Sequence, residues 1–126
     1  MAEMTWLRHD EDVRLDTEHL MALYYDLGEA AADGVVGRAM DELAVRVAEM
    51  AAQRATADPG DFCRNARGLG RIAGQIGMSS FARVAQDVAE CALAGDAVAL
   101  AATWARLQRI ADRSLVAVWD MQDISG

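Results

Sequence analysis

The sequence has no lysine, a single proline and only two cysteines among its 126 residues. One proline and few β-branched residues favour helices, and the length suits a single domain. Cys63 and Cys91 are too few and too far apart for a zinc knuckle and read as small buried hydrophobes, reduced in the cytosol. No apolar run approaches the roughly 18–20 residues that span a bilayer, so no membrane segment is expected. The opening MAEMTWLRHDED is acidic and lacks the apolar stretch of a signal peptide, which makes a cytoplasmic location the expectation. Nucleophile elbow, Walker loop, dinucleotide fingerprint and zinc spacing are all missing, so neither catalysis, a cofactor nor a metal is expected.

What is present is apolar and acidic. Alanine supplies 26 residues and the apolar set 53%, enough for a core and too much for a disordered chain. The net charge of -8 repels nucleic acid and anionic membranes. That charge is unevenly spread. Between Phe62 and Gln86 there are four arginines and no acid, which marks the window as the first place to look for a site.

Apolar spacing predicts a lead-in over residues 1–15, then five helices forming one domain over 16–126. The first runs from about Asp16, a plausible N-cap, to Ala32, with Leu20, Leu23, Tyr24 and Leu27 on its stripe. Asp33-Gly34 and Gly37 are expected to break it. The second runs from about Arg38 to Ala55 and buries Met40, Leu43, Ala44, Val47, Met50 and Ala51. Asp58 as N-cap and Pro59 at the first helical position open the third, which ends near Ile76 with Gly77 as its C-terminal cap. Ser79 or Ser80 is expected to cap the fourth, which ends at Ala94-Gly95. Asp96 then caps a last helix from Ala97 to about Met121. Links this short give an all-α, antiparallel four-helix bundle with an additional N-terminal helix.

The third helix breaks the rules of a stable helix. Gly68, Gly70 and Gly74 each cost about 1 kcal/mol relative to alanine inside a helix. Gly74 is expected to serve packing within the bundle. Gly68 and Gly70 lie about 100° either side of Leu69 and need not both be inside. Arg64, Arg67 and Arg71, spaced three and four apart, share one face. A charge run is usually a solvated face. Here the alternative is a cationic strip beside a bared backbone, suited to carboxylates on another protein, because the planar guanidinium fork binds them bidentately.

The stretch Asn65-Ala66-Arg67-Gly68-Leu69-Gly70-Arg71-Ile72-Ala73-Gly74-Gln75-Ile76-Gly77 resembles the signature of histidine phosphotransfer (HPt) domains, A-H-x-L-K-G-x-x-x-x-I/V-G, carried on a helix of a four-helix bundle. Ala66, Leu69, Ile76 and Gly77 fall on fixed positions of that pattern, and the small Ala73 and Gly74 sit within its open stretch. Downstream, Phe81 to Leu93, the Gly95-Asp96 turn and Leu100 look like the family's next helix, turn and last helix. The resemblance covers roughly residues 37–121. It departs from the family at the chemistry: the phosphoacceptor histidine falls on Arg67, the family lysine on Gly70 and the following glycine on Arg71. A guanidinium stays protonated near neutral pH and is no nucleophile.

The resemblance therefore implies an HPt-like signalling domain that binds without phosphotransfer. Its expected partner is a response-regulator receiver domain, whose phosphorylation pocket holds clustered aspartates, or a sensor kinase. The expected contact residues are Arg64, Arg67, Gly68, Gly70 and Arg71, with Gln75 one turn further along. Two alternatives stay open at this point. One is an active phosphotransfer protein using another histidine, for which His19 is the reasonable choice. The other is a structural or self-associating bundle, such as a homodimer; Trp6 and Trp119, outside the main stripes, could either pack the lead-in onto the bundle or form a dimer contact. His9 beside Asp10, Glu11 and Asp12 reads as incidental charge rather than a preformed metal site.

Overall fold

Asp58 shows how local chemistry sets a helix boundary. Its backbone is extended, and its side chain accepts hydrogen bonds from the Gly60 and Asp61 amides, with Pro59 in the first helical position. A computed structural model describes residues 14–125, with side chains described through residue 113. Five helices make up this span: α1 Thr17–Leu27, α2 Glu29–Gln53, α3 Pro59–Gln75, α4 Ser79–Ala94 and α5 Ala97–Ser125. There is no strand among the described residues, and no helix long and apolar enough to cross a membrane. Trp6 and His9, and the side chains of Leu115, Val118 and Trp119, lie outside the described residues.

The packing order follows the chain. α3 packs most extensively on α4, α4 on α5 and α2 on α3, while contact between α2 and α5 closes the bundle. α1 lies against α2. Leu43, Leu69, Ile76, Met78, Phe81, Leu107 and Ile110 are fully enclosed in the shared core. Phe62 and Trp104 meet edge to face with ring centroids 5.3 Å apart, which ties α3 to α5 near one end. The guanidinium of Arg54 sits 5.6 Å from the Phe62 ring centroid and shields it from water.

Two turns hold the site's helix in place. Gly95 adopts the left-handed conformation at φ 71°, and the Asp96 carboxylate accepts from the Ala99 amide, so α4 reverses into α5 within two residues. Gly77, at φ 75°, turns α3 into α4. An added Cβ there would meet the Asp16 carbonyl oxygen at 2.8 Å, while the Gly77 carbonyl accepts from the Asp16 amide at 2.6 Å. One glycine thus ends α3 and receives the incoming chain.

Three expected details are corrected. The first break falls at Gly28, φ 82°, and not at Asp33-Gly34 or Gly37, through which α2 runs uninterrupted. Ala32, Val36, Met40 and Leu43 form a buried stripe across those glycines, and that burial outweighs their cost. Ser79 and Ser80 do not cap α4; Met78 occupies the N-cap without a side-chain bond. Ser79 Oγ instead donates to the Arg14 carbonyl, and the Arg14 amide donates to Ser80 Oγ, so the pair anchors the start of the described chain. Ala44 and Ala51 are exposed rather than buried. With Val47, Phe81 and Ala111 they line an open groove of about 220 Å³ between α2 and α5.

Candidate functional site

α3 presents opposite faces to the core and to solvent. Phe62, Ala66, Leu69 and Ala73 are buried, while Arg64, Arg67, Arg71, Gly74 and Gln75 are exposed. The arginine strip forms because spacings of three and four residues keep to one side of a helix. Arg64 is paired with Asp61 in the first turn. No hydrogen bond or ion pair among the described residues holds Arg67 or Arg71. Arg83, on the antiparallel α4 and within the same acid-free window, is exposed as well.

The glycines divide differently from the sequence expectation. Gly74, expected inside, is exposed, and an added Cβ would have no atom within 4 Å. It provides the bare backbone beside Arg67 and Arg71. Gly70 is half-buried at the α3–α4 contact. A Cβ there would lie 3.4 Å from the Ala82 carbonyl oxygen and 3.6 Å from the Ala85 Cβ, so its role is close helix approach. Gly68 is buried although it lies roughly 200° round the helix from Ala66. A Cβ on it would meet one side-chain atom, Arg46 Nη1, at 3.3 Å.

Arg46 reaches this position from α2. Its Nε and Nη2 donate to Glu42 Oε1 at 3.1 and 2.9 Å, which fixes the guanidinium and leaves Nη1 over Gly68. Glu42, Glu49, Gln53 and Asn65 continue the surface past Arg46 as an open polar groove of about 350 Å³ between α2 and α3. Sequence reasoning missed Arg46, because its link to Gly68 crosses between two helices and leaves no local spacing signal.

His19 sits at the far end of the strip. Its Nε2 lies 2.7 Å from the Gln75 carbonyl oxygen. A carbonyl only accepts, so Nε2 carries the proton in this bond. Gln75, at the C-terminus of α3, thereby uses its backbone to hold α1, while its side chain remains on the exposed face. Among the described residues no group of three His, Cys, Asp or Glu side chains is placed to hold a metal ion.

Comparison with known proteins finds no matching family model, no matching characterised protein and no matching solved structure. What this surface can bind therefore follows from the chemistry of the strip itself. Chemically, it is a fixed cationic face with at least two guanidinium groups that pair with no acid among the described residues. Such a face can accept carboxylates or other anions of a partner, and it offers no nucleophile.

Proposed function

We propose that this chain is an HPt-like docking domain that binds a response-regulator receiver domain through Arg64, Arg67 and Arg71 and passes no phosphate on. The carrying observation is the exposed Arg67, paired with no acid among the described residues, midway along α3, where the resemblance puts a phosphoacceptor histidine. The helix order and the Gly95-Asp96 turn support the same reading. In this reading the aspartate pocket of the receiver faces the strip, and Gly74 lets the partner approach the α3 backbone. The domain then acts as a decoy, adaptor or inhibitor, competing for a receiver that a true phosphotransfer protein would serve.

The test is titration of the purified protein against a panel of receiver domains, wild type beside Arg67→Glu. A specific complex that weakens more than tenfold in the variant, about 1.4 kcal/mol, is the expected result. An affinity that Arg67→Glu leaves unchanged would remove the proposed face. A tight dimer that buries the strip, seen by sedimentation, would favour the self-associating alternative.

A further inference from the structure

Gly68 and Arg46 make the cationic face larger than α3 alone provides. Gly68 lies four residues after Arg64 and three before Arg71, so both arginines are its neighbours on the helix surface. The nearest atom to the place of its missing Cβ, at 3.3 Å, belongs to a guanidinium from another helix. Arg46 is half-exposed, and its two hydrogen bonds to Glu42 hold it in one orientation. We infer that Arg46 is a fourth binding arginine of the same docking site, reaching from α2 over the bare backbone of Gly68 beside Arg64 and Arg71, and that it engages a carboxylate of the acidic partner surface.

This inference rests on the receiver-docking reading and adds a residue of α2 to it. Glu42 occupies only part of the Arg46 fork, since one carboxylate oxygen accepts both bonds and Nη1 is not used in them. A partner carboxylate arriving over α3 would find a pre-positioned fork, which reduces the ordering cost of binding. The same arrangement gives the glycine a role that neither helix propensity nor core packing supplies. An alanine at 68 would favour the helix and would crowd the guanidinium, which must give by a few tenths of an ångström.

The experiment uses the tightest-binding receiver domain of the panel and four variants: Arg46→Gln, Arg46→Lys, Gly68→Ala and Arg67→Glu. Helix content and melting temperature are checked first, and all four are expected to fold, because Arg46 and Arg67 reach the surface and the added Cβ of Gly68→Ala would meet only the end of one flexible side chain. Arg46→Gln is expected to weaken binding about threefold to tenfold and to flatten the dependence of affinity on salt. Arg46→Lys should recover part of the loss, because it restores charge without the planar fork. Gly68→Ala should weaken binding by a smaller factor with every charge kept. An Arg46→Gln affinity within twofold of wild type, while Arg67→Glu still fails to bind, overturns the role of Arg46 and leaves the docking reading standing. No effect of either Arg67→Glu or Arg46→Gln, or no receiver bound by the wild type, overturns the docking reading and this inference with it.

Discussion

His19 on α1 donates from Nε2 to the carbonyl oxygen of Gln75, the last residue of α3, across 2.7 Å. The backbone amides that follow go elsewhere: Ile76 and Met78 bond to the Ala73 carbonyl, Gly77 to that of Gly74, and Ser79 to that of Gly77. The Gln75 carbonyl is thus one of the orphan acceptors of a helix end, and an imidazole from another helix satisfies it. Together with the Asp16–Gly77 backbone bond, this contact fastens the first turn of α1 to the α3–α4 junction.

His19→Ala should therefore cost about 1 kcal/mol of stability, the usual worth of one such hydrogen bond. Thermal or urea unfolding of the variant beside the wild type measures it. A melting point lowered by a few degrees is expected. No change would mean that the Asp16–Gly77 backbone bond and the apolar face of α1 hold the helix without this contact.

The same bond bears on phosphate chemistry. With Nε2–H committed to a carbonyl, that nitrogen has no lone pair to offer a phosphoryl group. Incubation with a phosphorylated receiver domain is expected to leave no acid-labile phosphate on the protein. Label that appears on the wild type and vanishes in His19→Ala would reverse the non-transferring assignment.

Two glycines at the end of α3 should respond in opposite directions. Gly74→Ala meets open space in a helical backbone and should stabilise the fold by about 0.5–1 kcal/mol. Gly77→Ala meets the Asp16 carbonyl oxygen at 2.8 Å from a left-handed backbone and should cost more than about 2 kcal/mol. Chemical denaturation of the pair gives the sign of each. In the receiver titration, Gly74→Ala should also weaken binding if the partner approaches the bared backbone there.

Asp58→Ala removes the side-chain acceptor for the Gly60 and Asp61 amides at the start of α3. A loss of about 1 kcal/mol is expected in equilibrium unfolding, and Asp58→Asn should restore most of it.

The bundle was largely legible in the sequence because its punctuation is local. Asp58-Pro59, Gly77 and Gly95-Asp96 each act through bonds within a few residues, and each stands where its chemistry placed it. The α1–α2 boundary was not legible for the opposite reason. Gly34 and Gly37 look like breakers in isolation, and only the continuous burial of Ala32, Val36, Met40 and Leu43 against other helices keeps α2 whole. Ser79 and Ser80 resemble caps, yet their partners lie 65 and 66 residues away on Arg14. The strip itself was readable from spacing, as Arg64, Arg67 and Arg71 are all exposed. The burial of Gly68 was not, because it depends on where an arginine 22 positions earlier extends its side chain.

The seating of Arg46 over Gly68 sets a limit on mimicry. A synthetic peptide copying Pro59–Gln75 would reproduce three of the charges and leave the notch at residue 68 vacant. Neither that peptide nor the strip grafted onto an unrelated scaffold would carry the whole surface, which belongs to a pair of helices and lasts only while they stay together.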